Sequence, residues 1–200
     1  MPHEARRPGM HWMTNLLGFY FRTKILRQHI PLLASFKLTL RCNLACRACP
    51  FHHRATEPQS HMSRDTAVRT LQELHRAGCR IVMFEGGEPL LWRDGPYDFA
   101  GLVRYAKQLF LRVGVTTNGT LPLAVPADLV WVSIDGLRET HNLLRSDSFD
   151  LVWHNLKAAN HQKLFVHFTM HRKNWHELEG LLQKLKELPS VRGVTVQVFY

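Results

Sequence analysis

Hydrophobic and polar positions follow two alternating patterns from residue 36 onward. Short, nearly continuous apolar runs are separated by longer stretches in which apolar residues recur every three or four positions. The runs predict buried β-strands, and the longer stretches predict amphipathic helices. The predicted strands are residues 36–40, 81–84, 112–116, 129–134, 164–170 and 191–199, and the predicted helices include 64–77, 99–109, 149–160 and 175–188.

Strands that alternate with helices are typical of βαβ units and a parallel sheet, so the predicted fold class is α/β. The helix over 64–77 has clear ends, because Ser63 is a good N-cap residue and Gly78 is a good C-terminal stop. The pattern alone suits either part of a TIM-like barrel or an open doubly wound sheet. In both architectures ligands bind at the carboxyl ends of the strands.

Residues 12–30, before the first strand, combine apolar and basic positions. Leu17, Phe21 and Ile25 share a helical spacing, and Arg22 and Lys24 lie among them. We expect a helix that packs its aromatic side chains onto the domain, because a single apolar face usually buries itself. The alternative interpretation is a basic amphipathic segment that contacts a membrane surface. The segment lacks the features of a secretory signal, which predicts a cytoplasmic protein.

Composition narrows the function classes. The 200 residues carry a formal net charge of +10, and 45% of them are hydrophobic, which excludes a disordered or collagen-like chain. No apolar run reaches the roughly 18 residues of a transmembrane helix. The basic balance is compatible with nucleic acid, anionic lipid or an acidic substrate.

Three of the four cysteines lie on one short segment, RCNLACRACP, directly after the first predicted strand. Cys42, Cys46 and Cys49 have the spacing C-x3-C-x2-C. Soft thiolates at this spacing bind an iron–sulfur cluster or zinc. Three thiolates leave one iron of a [4Fe–4S] cluster open, whereas a structural zinc site would need His52 or His53 as its fourth ligand. The fourth cysteine, Cys79, is interpreted as a buried core residue.

The cysteine segment, together with the Gly86-Gly87-Glu88-Pro89 sequence after the second strand, resembles the radical S-adenosylmethionine (radical SAM) superfamily. Three further segments match at later strand ends: Thr116-Thr117-Asn118-Gly119, Ser133-Ile134-Asp135-Gly136 and the stretch that begins at Arg145. The resemblance covers residues 35–199. It implies a partial (β/α)6 TIM-like barrel with parallel strands and an N-terminal helical extension. The implied domains are an extension over 1–34 and a radical SAM core over 35–200.

The resemblance also implies the cofactors and their contacts. Cys42, Cys46 and Cys49 would hold the [4Fe–4S] cluster, and the open iron would bind the methionine part of S-adenosylmethionine. The other implied cofactor-binding residues are Gly86, Gly87, Glu88, Pro89, Thr117, Asn118, Ser133, Asp135 and Arg145. Weaker candidates are Phe51, Asn174 and Gln197, with Phe199 beside the last. Ala48 departs from the family pattern, which often has an aromatic residue there.

The implied reaction begins with a reduced cluster that cleaves S-adenosylmethionine and yields a 5′-deoxyadenosyl radical. This radical would abstract hydrogen from a substrate such as a peptide, a cofactor precursor, or a lipid or isoprenoid molecule. A flavodoxin- or ferredoxin-type electron donor is the implied partner, and an anionic substrate would suit the charge. The competing hypothesis is a zinc-stapled nucleic-acid-binding module without catalysis. Because no helix follows the sixth strand, we expect that the polypeptide continues or that a partner covers this edge.

Overall fold

A computed structural model of the protein describes residues 11–47, 49, 51–161 and 163–198. Six parallel strands form one sheet in sequential order: β1 Leu33–Thr39, β2 Ile81–Gly86, β3 Arg112–Thr117, β4 Leu129–Ser133, β5 Leu164–Met170 and β6 Val191–Val198. The α-helices are α1 His11–Tyr20, α2 Arg64–Arg76, α3 Phe99–Leu109, α4 Arg138–Leu144, α5 Phe149–Ala158 and α6 Leu178–Leu185. Sequential strand order without reversal is the order of a TIM-like barrel, and the partial barrel is confirmed.

Alternate residues of β1 to β5 enter the hydrophobic core, whereas in β6 Val191 and Val194 are only partly buried. Phe36, Val82, Val113, Val132 and Phe168 are all buried against the helices. The side chains between them belong to the opposite face of the sheet, as the period of two requires. That face is the inside of the partial barrel.

Two predicted helix ends are confirmed in α2. The Ser63 hydroxyl accepts a hydrogen bond from the Thr66 amide, which caps the first turn. Gly78 follows the helix with φ of 93°, a conformation that glycine adopts without strain. The predicted strand over 164–170 is β5 itself.

The predicted helix over 175–188 is shorter in the structure. Trp175–Glu177 forms a 3₁₀ turn before α6, and α6 ends at Leu185. The amides of Lys186 and Glu187 bond to carbonyls three residues back, so the chain tightens ahead of Pro189.

Helix α4 was not predicted, because Leu137 at its N-cap offers no capping side chain. The missing acceptor comes from Glu177, whose carboxylate accepts from the Leu137 amide at 2.6 Å and from the Thr140 hydroxyl at 2.5 Å. A cap supplied from 40 residues away leaves no local sequence signal.

The N-terminal segment differs from the expectation. Helix α1 continues into a π-helical turn, Phe21–Ile25, of which no residue is buried. Leu17, Tyr20, Phe21 and Ile25 are all exposed, so the expected packing of this segment onto the domain is wrong. No described helix combines the length and apolar character that crossing a membrane requires.

Candidate active site

A cavity of about 600 Å³ opens at the carboxyl ends of the strands, on the inner face of the partial barrel. Its wall brings together ten of the predicted residues and two of the weaker candidates. They are Cys42, Cys46, Cys49, Gly86, Gly87, Thr117, Asn118, Ser133, Asp135 and Arg145, with Phe51 and Gln197. The structure therefore places residues from the ends of β2, β3, β4 and β6, the segment after α4 and the cysteine loop, residues 41–49, around one space.

The thiols of the cysteine loop are half-buried and form no disulfide. Burial raises the pKa of the Cys42 thiol, and the nearby Glu88 carboxylate adds to the rise. Burial also raises the pKa of Cys46, although the positive charge of Arg145 opposes it. Both thiols are therefore protonated near neutral pH unless a cationic group binds them, as thiolate ligands of a metal are bound.

One side of the cysteine loop is anchored by two asparagines. The Asn118 side-chain nitrogen donates to Asn43 Oδ1 at 2.9 Å and lies 3.6 Å from Cys42 Sγ. Asn43 in turn donates to the Thr120 hydroxyl at 2.8 Å. The end of β3 thus fixes the position of Cys42, and an N–H group directed at its sulfur stabilises a thiolate there.

The other side of the loop is anchored by the segment after α4. The Arg47 amide donates to the Leu144 carbonyl at 3.1 Å, and the Ala45 amide donates to Ser146 Oγ at 3.1 Å. Ser146 and Asp147 both have left-handed backbones, with φ of 56° and 51°. Two consecutive residues in this region are costly, and here they direct Ser146 towards the loop.

Gly86 and Gly87 pack directly beneath the start of the loop. A Cβ on Gly86 would overlap the Thr39 carbonyl, and one on Gly87 would overlap the Arg41 carbonyl. The Gly87 amide donates to the Thr39 carbonyl at 2.7 Å, and the Glu88 amide donates to that of Arg41 at 2.8 Å. Only glycine permits this close approach of two backbone segments, and the approach places Gly86 and Gly87 beside Cys42.

Glu88 does not reach the cavity. Its side chain is fully buried. One carboxylate oxygen accepts from the Leu90 amide at 3.0 Å and the Thr117 hydroxyl at 2.8 Å, and the other accepts from the Asn118 amide at 2.7 Å. Burial raises the pKa of Glu88, while these hydrogen bonds oppose the rise. We therefore interpret the Glu88 side chain as a positioning group for the end of β3.

Pro89 and Asn174 also lie behind the wall. Pro89 is the first residue of a buried 3₁₀ turn, Pro89–Leu91. Asn174 donates to the carbonyls of Asp135 at 3.0 Å and Thr169 at 2.8 Å, and so joins the ends of β4 and β5. Phe199 and Ala48 lie outside the described residues.

Asp135 and Arg145 face the cavity as an ion pair. Arg145 Nε lies 2.5 Å from one Asp135 carboxylate oxygen, and the Thr169 amide donates to the other at 2.8 Å. Sequence reasoning assigned the two residues to different parts of the cofactor, ribose and methionine carboxylate. The structure adds that each orients the other before any ligand binds.

His141 supports this pair from beneath. Its Nδ1 accepts from the Asp135 amide at 3.3 Å, so its Nε2 carries the proton and donates to Ser148 Oγ at 3.0 Å. Burial, together with the positive charge of Arg145, lowers the pKa of His141 to about 4. A neutral ring therefore connects the loop at Asp135 to the segment that carries Arg145.

Sequence reasoning missed the residues deeper in the cavity. Met83, Glu85, Trp131, His167 and Thr195 line it below the predicted cofactor contacts. Each occupies an inward position of its strand, so the period of two within each predicted strand contained the signal.

Two of these deeper features have defined contacts. Glu85 accepts from Ser35 Oγ at 2.6 Å and lies 3.4 Å from Lys37 Nζ, which in turn sits 5.3 Å from the centre of the Phe51 ring. On β3, a Cβ on Gly114 would overlap the Met83 sulfur and lie 3.2 Å from the Trp131 ring. Because Gly114 has no side chain, the Met83 sulfur and the Trp131 ring can both occupy this space.

The donor set fits an iron–sulfur cluster. Three thiols line one cavity on one short loop, and they approach the space from different parts of that loop. Among the side chains that the structure describes, which excludes that of His52, no three His, Cys, Asp or Glu residues are arranged to hold a single metal ion. A cluster suits separated thiolates, because each binds a different iron. The described geometry gives no support to the zinc hypothesis.

Comparison with characterised proteins places the chain among enzymes. It is 29% identical over 164 residues to Fe-coproporphyrin III synthase of Methanosarcina barkeri, covering 76% of this chain and 40% of that protein. It is 30% identical over 193 residues to PqqA peptide cyclase of Rhodopseudomonas palustris, covering 86% of this chain and 48% of that protein. The chain thus spans less than half the length of these relatives.

Solved structures share the fold. Streptococcus suis SuiB bound to S-adenosylmethionine superposes with a TM-score of 0.67 at 16% identity, over 94% of this chain and 46% of SuiB. AdoMet-bound anSMEcpe superposes with a TM-score of 0.64 at 21% identity, over 83% of this chain and 50% of that one. The sequence profile of the Radical SAM superfamily matches residues 36–185, the part that contains the cysteine loop and five of the six strands. This match includes all of the residues that line the cavity except those on β6. The chain therefore belongs to the radical SAM superfamily.

Proposed function

We propose that the protein reductively cleaves S-adenosylmethionine and directs the resulting radical at a substrate bound inside the partial barrel. The observation that carries the proposal is the convergence of three thiols, the Gly86–Gly87 turn and the Asp135–Arg145 pair on one cavity. When bound, a [4Fe–4S] cluster would supply the electron for reductive cleavage of S-adenosylmethionine, which in turn would allow a hydrogen atom to be removed from the substrate.

The residues of the chain bind and orient these groups. Cys42, Cys46 and Cys49 would hold the cluster at the mouth of the cavity. Next to them, the backbone of Gly86 and Gly87 leaves space for the methionine part of the cofactor, because neither residue has a side chain. These residues position the cofactor over the deeper cavity and exclude water from it.

The opposite wall would hold the rest of the cofactor. Ser133 and Asp135 offer a hydroxyl and a carboxylate to the ribose, and Arg145 offers its guanidinium to a carboxylate. Thr117 and Asn118 lie between the residues proposed for the methionine part and those proposed for the ribose. The Asn118 side chain is hydrogen-bonded to Asn43 of the cysteine loop. Phe51 and Gln197 would contact the adenine or the substrate.

The deeper cavity is the proposed substrate site. Its lining includes the polar groups of Glu85 and His167, on the inward face of the strands beyond the cofactor residues, and Lys37 pairs with Glu85. The relatives are named for two substrate types, haem-type cofactors and peptides. A peptide or a cofactor precursor is therefore the substrate class that we propose, and the paired charges of Lys37 and Glu85 suit a substrate with polar or ionised groups.

The proposed partner is an acidic electron donor of the flavodoxin or ferredoxin type. Radical SAM enzymes require such an electron source, and the net charge of +10 favours association with an acidic surface. We place the protein in a reducing cytoplasm, which agrees with four free thiols.

The decisive experiment is anaerobic reconstitution with iron and sulfide, followed by reduction with dithionite in the presence of S-adenosylmethionine. We expect about four irons per chain, as a [4Fe–4S] cluster requires, and the release of 5′-deoxyadenosine. Stoichiometric zinc with no 5′-deoxyadenosine would contradict the proposal and support the binding-module hypothesis instead.

A further inference from the structure

The N-terminal segment exposes a continuous apolar stripe. The stripe consists of Met13, Leu17, Tyr20, Phe21, Ile25 and Leu26, each between 51% and 62% exposed. Steps of three and four residues along α1, and of four along the π-helical turn, keep these side chains on one side of the segment. Exposed single apolar residues are ordinary, but six adjacent ones form a surface that favours contact with an apolar phase.

The carboxyl end of the segment is attached to the domain. The Leu32 carbonyl accepts from the amides of Arg80 and Ile81, at the amino ends of β1 and β2. Ile30 fills the space above Gly78, where a Cβ would lie 2.6 Å from the Ile30 side chain. The cysteine loop leaves the opposite, carboxyl end of β1. The segment therefore joins the domain at the amino-end edge of the sheet, and the cysteine loop lies at the opposite edge.

The charges around the stripe have a single sign. Arg22, Lys24 and Arg27 lie within or beside it, and no acidic residue occurs between Glu4 and Glu57. Lys24 precedes Ile25 in the π-helical turn and is exposed, and a long aliphatic stem can extend along apolar groups while its ammonium stays in a polar layer. Apolar side chains combined with basic residues match the acyl boundary and the headgroups of an anionic bilayer.

A second copy of the chain is a poorer fit to the same surface. A two-fold contact through the stripe would bring the basic residues of both copies into one interface, where the segment offers no acidic residue to pair with them, and like charges repel. An anionic lipid surface neutralises the same residues. We propose that the stripe on residues 13–26 docks the protein onto the surface of an anionic phospholipid bilayer, without crossing it.

The test is co-sedimentation of the full chain with vesicles of phosphatidylcholine alone and with vesicles that also contain phosphatidylglycerol. We expect the wild-type chain to bind the anionic vesicles at least about tenfold more tightly than the neutral ones. Leu17→Asp and Phe21→Asp, introduced together, should reduce binding to the anionic vesicles to the neutral level. Leu151→Asp is the control. Leu151 is a leucine of α5 that is 50% exposed and does not belong to the stripe, so this variant should bind the vesicles as wild type does.

Three results would overturn the proposal. The first is equal binding of wild type to both vesicle types, or no binding to either. The second is unchanged binding of the stripe variant to anionic vesicles, which would indicate attraction by the basic charge of the whole chain. The third is a concentration-dependent dimer in size-exclusion chromatography that the stripe variant abolishes, which would make a second copy the occupant. Circular dichroism of each variant shows that the comparison is between folded proteins.

Discussion

The cysteine loop and the wall behind it use polar groups in opposite ways. In the wall, the fully buried Glu88 carboxylate accepts three hydrogen bonds from residues at the ends of neighbouring elements. In the loop, burial raises the pKa of the Cys42 and Cys46 thiols, and the N–H groups nearest to Cys42 Sγ lie at the long distances of 3.5 and 3.6 Å. The wall is therefore organised by the protein alone, whereas the loop takes its position from the wall and its thiolate character from what it binds.

The largest contrast should come from replacing cysteines in the two settings. Cys42→Ala should abolish cluster iron and 5′-deoxyadenosine formation while leaving the free energy of unfolding of the metal-free chain nearly unchanged. Cys79→Ala, the matched control in the buried core, should keep both iron and activity and lose about 1 kcal/mol of stability. Iron analysis and urea denaturation measure the two effects. If Cys42→Ala retained its iron, the cysteine loop would not be the segment that binds the cluster.

Removing the carboxylate of the wall should have the next largest effect. Glu88→Ala leaves the Leu90 and Asn118 amides and the Thr117 hydroxyl without their acceptor. Because each unsatisfied buried donor costs about 1–3 kcal/mol, we expect a loss of at least about 3 kcal/mol in urea denaturation. Glu85→Ala is the control, since its partly exposed ion pair with Lys37 should contribute less than about 1 kcal/mol. Equal losses in the two variants would refute the positioning role of Glu88.

The pH dependence of stability should report on His141. Its pKa of about 4 in the folded protein lies below the ordinary value of 6.5, so its contribution to stability is complete above pH 6.5 and declines as the pH falls towards 4. Between pH 7 and pH 5 the wild type should lose about 2 kcal/mol through this residue.

The control for that effect is His141→Gln, which places an uncharged side chain at the same position. The variant should be less stable than wild type at pH 7 but should show a flatter pH profile down to pH 5. Parallel profiles for the two proteins, from urea denaturation at each pH, would mean that other groups dominate the acid response.

The smallest effect should arise where the wall holds the loop. Asn43→Ala removes the hydrogen bonds by which Asn118 and Thr120 hold the cysteine loop and should cost about 1 kcal/mol. Amide hydrogen exchange should accelerate in the loop around Cys42 but not in β3. Asn160→Ala, at an exposed position after α5, is the control and should change neither measurement.

Periodicity predicted the sheet because β1 to β5 bury alternate residues under helices, as in β5, where the predicted and observed ranges coincide. In β6 no residue is fully buried, and its apolar run predicted it. Helix α4 escaped prediction because its capping group, Glu177, lies far along the chain. The same periodicity failed for the N-terminal segment, where an apolar stripe predicted burial that the structure does not show. Amphipathic spacing identifies a face, but it does not identify what covers that face.

The position of the site followed from topology, since the carboxyl ends of parallel strands share one edge. Most of the predicted residues line the cavity for this reason. The sequence did not predict which groups bond to one another. Glu88 is satisfied inside the wall and Asp135 pairs with Arg145, and both contacts depend on side-chain directions that only the folded backbone determines.

Gly114 has a consequence for how substrate preference can be altered in this protein. Met83 and Trp131 both extend into the volume that a side chain at position 114 would fill. A larger residue there would displace the flexible Met83 side chain first and then contact the Trp131 ring, so the cavity would become shallower. Substitutions of Gly114, in the interior of β3, would therefore change the size of the molecule that the cavity accepts, although glycine has no side chain that could contact a substrate.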